Sequence, residues 1–127
     1  MISIRRKFMS LLSLEMESLH DELKLILETL DRRLANHEIT EYVRNENYAT
    51  LMNEIIGLEH CMRRAPEFSS DEDAGLDEIA EQAKRCLKAR FSECGYVDAL
   101  YALVSGRIDK ICSYLRLDAP TRAGTSA

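Results

Sequence analysis

The sequence predicts an all-α fold, an up-down bundle of four helices. Three observations carry that prediction. Apolar residues recur every three or four positions at Leu12, Met16, Leu19, Leu23, Ile26, Leu30 and Leu34, the seam of a helix packed along its length. Helix breakers are scarce, with two prolines and five glycines in 127 residues, while Leu, Glu, Ala and Arg abound. No stretch alternates apolar and polar residues for long enough to compete as a strand.

The first helix is predicted from Lys7 to Ala35, with Arg5 to Lys7 a solvated lead-in. Leu23 and Ile26 fall on its core side and Glu22 does not. Asn36 is the expected left-handed residue after it, since Asn tolerates that conformation. A short connection, Asn36 to Ile39, makes the next helix an antiparallel neighbour. Thr40 is the expected N-cap of that second helix, Glu41 to about Arg64. Its predicted buried residues are Tyr48, Leu51, Met52, Ile55, Leu58 and Met62. Pro66 stops it by pushing the preceding residue out of the helical region. Gly57 sits inside it, where close helix approach is the expected reason.

Phe68 to Gly75 is the loop, and Ser69, Ser70 and Asp71 are candidate caps for the third helix. That helix carries Leu76, Ile79, Ala80, Ala83, Leu87, Phe91 and Cys94. The fourth carries Val97, Tyr101, Val104, Ile108, Ile111 and Leu115. The heptad phase runs unbroken through Arg90 and Cys94, so one long kinked helix is the alternative. Gly95 and Tyr96 favour a break, as a Schellman ending in which Tyr96 would touch Phe91. Residues 1–117 make one domain of a size that supports a single core. Residues 118–127 are expected to be a disordered tail.

Hydrophobic residues make up 46% and charged residues 31% of the chain, as in folded soluble proteins. The net charge of −5 and the lack of a basic face argue against nucleic-acid binding. An acidic run, Glu67 to Glu78, precedes a basic one at Lys84, Arg85, Lys88 and Arg90. The four cysteines, Cys61, Cys86, Cys94 and Cys112, form no Cys-x-x-Cys pair. They read as reduced, buried thiols of a cytoplasmic protein rather than metal ligands. Ser3 to Met9 looks like part of a twin-arginine signal, but the apolar run after it stops at Glu15. No run approaches the roughly 18 apolar residues a membrane span needs.

Each candidate site has a simpler reading beside it. Glu17 and His20 have the Glu-x-x-His spacing of di-iron bundles, which need two such motifs and two further glutamates. Only one motif is present, and it reads as a solvated surface pair. Leu19-His20-Asp21-Glu22-Leu23 resembles the phospho-acceptor box of one class of histidine kinases. The resemblance implies His20 as the phosphorylated imidazole and Asp21 as its base. Lys24 lies four residues on, so the His-x-x-Lys-Gly pattern of phosphotransfer domains is not met. Arg32 and His37 have an Arg-x4-His spacing that resembles the active motif of HEPN ribonucleases. A helix end that attracts cations explains the same residues. Asp71 to Gly75 begins like a calcium loop, but glycine falls at the fifth position and Gln82 at the twelfth. His60 lies beside Cys61 near the end of the second helix.

No catalytic constellation, cofactor site or metal site is therefore expected. The sequence reads as a cytoplasmic, non-enzymatic interaction module, adaptor or chaperone-like, with protein partners and no membrane. Its layout is similar to that of some flagellar and secretion chaperones. The alternative is a histidine phosphotransfer protein using His20. A homodimer is expected, because the first two helices outreach the others. The exposed set would be Phe8, Leu11, Leu12, Leu14 and Met16 if the last two helices are separate. It would be Ile108, Ile111 and Leu115 if they form one rod.

Overall fold

The structure, a computed structural model, describes residues 3–64, 74–95 and 98–117. Among the described residues four helices form: α1 (Ile4–Ala35), α2 (Glu41–Arg64), α3 (Leu76–Cys94) and α4 (Asp98–Leu117). The tail, Tyr96, Val97, Pro66 and the Ser69–Asp71 caps lie outside the described residues.

α1 begins earlier than its sequence predicts. The Ser3 hydroxyl accepts from the Arg6 backbone N–H at 3.2 Å, a side-chain cap that draws Arg5 to Lys7 into the first two turns. At the other end the left-handed residue is His37, with φ 60°, and Asn36 stays at φ −87°. Two backbone bonds close a Schellman motif: His37 N–H donates to Leu34 O at 3.0 Å and Glu38 N–H to Arg33 O at 2.9 Å. The hydrophobic contact that usually accompanies this motif is replaced by an ion pair, Arg33 Nε to Glu38 Oε1 at 4.0 Å. Thr40 caps α2 as expected, its hydroxyl accepting from the Val43 N–H at 3.2 Å.

α3 starts behind Gly75 with no side-chain cap. It ends at Gly95, which takes φ 76°, a conformation glycine adopts without a Cβ penalty. The chain then doubles back. Lys84 pairs with Asp109 and Asp77 with Arg116, so α3 and α4 are antiparallel and the single long rod does not form. His20–Glu59 and Asp31–Arg44 show the same for α1 and α2.

All four helices feed one core. Phe8, Leu12, Met16, Leu19 and Leu23 of α1 meet Ile55 and Leu58 of α2, Ile79, Leu87 and Phe91 of α3, and Leu100, Val104, Ile108 and Leu115 of α4. Leu100 and Cys112 are core residues that periodicity did not pick out. Gly57 is buried within α2.

Of the residues expected in the core, two are exposed, and Leu34 and Met52 are only half-buried. Ile26 is 48% exposed and Tyr48 is also exposed. The reason is length. The 32 residues of α1 span roughly 48 Å at 1.5 Å per residue, whereas a 20-residue helix spans about 30 Å. α3 and α4 have 19 and 20 residues, so the α1–α2 hairpin projects past them. From residue 24 to residue 53 only Leu30 is buried. The overhang is thus at the hairpin tip. Phe8, Leu12 and Met16 are buried, and so are Ile108, Ile111 and Leu115; of the two sets expected to be exposed, only Leu14 is exposed and Leu11 is half-buried.

Candidate functional site

His20 is held on the flank of α1 that faces α2. Its side chain is 17% exposed, and Nε2 lies 2.7 Å from Glu59 Oε2. An ionised carboxylate only accepts, so Nε2 donates. Nδ1 lies 3.9 Å from Asp21 Oδ1, and Asp21 itself is well exposed. Glu17 is exposed and has no part in this bond. The imidazole is therefore a cross-link between α1 and α2. A phosphoryl donor would meet a largely covered ring whose Nε2 is already engaged, among carboxylates that repel an anion.

The most connected polar cluster is one that periodicity and motif spacing did not reveal. Arg107 of α4, 18% exposed on its side chain, donates Nη1 to Glu15 Oε1 at 2.9 Å. Its Nη2 reaches Glu22, and Nη1 lies 3.4 Å from Ser18 Oγ. Lys110 adds a contact to Glu15 at 3.4 Å. Burial pushes the Glu15 carboxyl up, but the hydrogen bonds and charges of Arg107 and Lys110 outweigh it and hold it below the ordinary value. For Arg107 burial acts downward, and Glu15 and Glu22 more than reverse it. Glu15 and Glu22 stand two turns apart on one face of α1. That spacing was the available signal, but it gains meaning only once α4 is known to lie against that face.

A second charged groove runs between α3 and α4. Lys84 donates to Asp109 at 2.6 Å and Arg116 to Asp77, with Cys112 on the floor between them. The bond to Asp109 raises the Lys84 ammonium pKa against the opposite pull of burial. Burial is also the main reason the Cys112 thiol is pushed up, which keeps it protonated and unreactive. Both cations are neutralised by helix-to-helix ion pairs, so the groove offers no bare charge for a ligand.

The remaining candidates fall apart in space or into structural parts. Cys61 and Cys112 are buried on α2 and α4, and Cys86 is half-buried on α3. Among the described residues no three His, Cys, Asp or Glu side chains gather as a metal site would require. Asp71 to Asp73 lie outside the described residues. His37 makes the left-handed turn and Arg32 and Arg33 close the last turn of α1, where cations oppose the carbonyl ends. Glu54 is a buried acid on α2, and burial pushes its carboxyl above the ordinary range.

What the surface does offer is apolar side chains in water. Leu14, Leu25, Ile26, Tyr42, Val43 and Tyr114 are all exposed. The Tyr48 ring is partly covered by the Arg44 guanidinium, 4.4 Å from its centroid. Among the described residues no helix is long and apolar enough to cross a membrane. No family model, curated protein or solved structure matches this chain.

Proposed function

We propose that the chain is a non-enzymatic helical interaction module of the cytoplasm, adaptor or chaperone-like, that self-associates. The supporting observation is the uncovered hairpin tip. Ile26 continues the buried stripe of Leu19 and Leu23, yet stands 48% exposed, and Tyr42 and Val43, nearer the turn of the same hairpin, are exposed as well. Apolar surface of this kind at the end of a rod favours association. A two-fold pairing of tips would extend the bundle where α3 and α4 stop.

Sedimentation equilibrium tests it. The expected result is a dimer in the micromolar range that the surface variant Ile26→Lys/Val43→Lys returns to the 14.5 kDa monomer. A wild-type monomer at every concentration removes self-association from the reading. Leu12→Glu and Ile111→Glu are unsuitable probes, because both residues are core.

Phosphotransfer at His20 is the second reading, favoured only by the Asp21 carboxylate beside Nδ1. It requires the Glu59 bond to open. Incubation with acetyl phosphate is expected to leave the protein unlabelled, and a label lost in His20→Ala would put this reading first.

A further inference from the structure

The outward face of α1 carries a groove that the bundle does not use. Leu14, Ser18 and Glu22 form one ridge at steps of four residues, and Glu17, Asp21 and Leu25 form the next. The space between them, about 410 Å³, has the form into which a ridge of another helix packs. α2 lies on one flank, through His20, and α4 on the other, through Glu15 and Glu22. The groove therefore faces away from both.

Its chemistry is mixed in an ordered way. Leu14 and Leu25 at its two ends are each 59% exposed, about 16 Å apart along the axis at 1.5 Å per residue. Acids lie between them. Arg107 takes up Glu22. Among the described residues, Glu17 has no basic side chain within ion-pair distance, and Asp21 has only His20 Nδ1, at 3.9 Å. Two half-exposed leucines spaced along one groove offer a partner helix two apolar anchors. An interface with a second copy across a two-fold would set Glu17 and Asp21 against themselves, which like-charge repulsion opposes.

We propose that the Leu14–Leu25 face of α1 is a docking strip for a basic amphipathic helix, with apolar anchors three turns apart and Lys or Arg between them. This rests on the interaction-module reading and names the partner's chemistry. The anchors sit against Leu14 and Leu25, and the basic residues meet Glu17 and Asp21, on the side of the groove away from Arg107. A notch between α1 and α4, lined by Leu11, Ile111 and Tyr114 with Glu15 and Lys110, lies about one turn before Leu14 along α1.

The test uses the full chain and synthetic helical peptides, with fluorescence anisotropy as the readout. One peptide has leucines eleven residues apart with lysines between them on the same face. A second replaces the lysines by glutamates, and a third replaces the leucines by serines. The first is expected to bind roughly tenfold or more tightly than either control, and to weaken with added salt. Glu17→Lys/Asp21→Lys, whose positions are exposed, should weaken it by about tenfold, as should Leu14→Ala/Leu25→Ala. Equal binding of the three peptides, no binding of the first, or indifference to the charge reversal overturns the proposal. Sedimentation of the same variants separates the two ideas. A dimer that ignores the peptides keeps self-association and removes the strip; a monomer that binds the basic peptide does the reverse.

Discussion

His37 is the one described non-glycine residue with a positive φ, at 60°. A β-carbon in that region costs about 1–2 kcal/mol, less for His than for branched residues. Glycine removes the cost but adds freedom to the unfolded chain. His37→Gly is accordingly expected to stabilise the protein by about 0.5–1 kcal/mol, read as a higher urea midpoint at unchanged slope. Glu54 supplies the second test at this scale. Its carboxyl is held above the ordinary range by burial, so the folded state binds this proton more tightly than the unfolded state does. Ionisation of Glu54 therefore costs stability in full above its folded pKa, and the cost fades as pH falls from there to the unfolded carboxylate value near ~4.3. Glu54→Gln should raise the melting temperature at pH 7 and lose that advantage near pH ~4. A gain that does not change with pH would remove the buried-charge account.

At the scale of elements, the α1–α4 contact is fastened by Arg107 between Glu15 and Glu22. Arg107 and Glu15 side chains are only 18% and 20% exposed, so removing one partner leaves the other poorly solvated. Arg107→Ala is expected to cost about 1–3 kcal/mol by chemical denaturation at pH 7. Arg107→Lys should recover only part of that, because the planar fork that reaches two carboxylates is lost. Glu15 is held below the ordinary range. Its contribution is therefore present above the unfolded carboxylate value and disappears as pH falls through the folded one. The Arg107→Ala penalty should shrink in acid accordingly. Helix ends were legible at Thr40 and Gly95. They were not at Ser3, whose cap precedes the basic stretch Arg5 to Lys7 and so lay hidden in an apparent lead-in, nor at the end of α1, where the backbone decides. The left-handed turn passed over Asn36 for His37, where the His37 and Glu38 N–H groups donate the two Schellman bonds to the Leu34 and Arg33 carbonyls.

At the scale of the molecule, periodicity gave each helix its phase about its own axis and said nothing of how far its neighbours extend. That is why Leu23 was placed correctly and Ile26, one turn further, was not. It is also why Arg107, unremarkable in sequence, becomes a hub only when α4 is set against α1. The unequal helix lengths should appear in hydrogen exchange. Amides from residue 31 to residue 50 have no buried side chain over them, so they are expected to exchange well before those around Leu58, Leu87 and Ile108, which are at most 2% exposed. Uniform protection of the hairpin tip in dilute protein would contradict the overhang, and protection that appears only at high concentration would show the tip covered by association.

The cysteines give the bundle its own clock. Cys61 sits on α2, Cys86 on α3 and Cys112 on α4, the first and last buried and the middle one half-buried. A thiol reagent attacks the thiolate, and only after the helix over it has lifted. With Cys94 and two of the other three cysteines replaced by serine, each single-cysteine form times the departure of a different helix. α2 packs chiefly against α1 and little against α3 and α4, so reaction of Cys61 before Cys112 would show that the α1–α2 contact opens first. Such an order of release would mean that the chain opens like a hinged cover, with α1, α3 and α4 staying together after α2 has swung away.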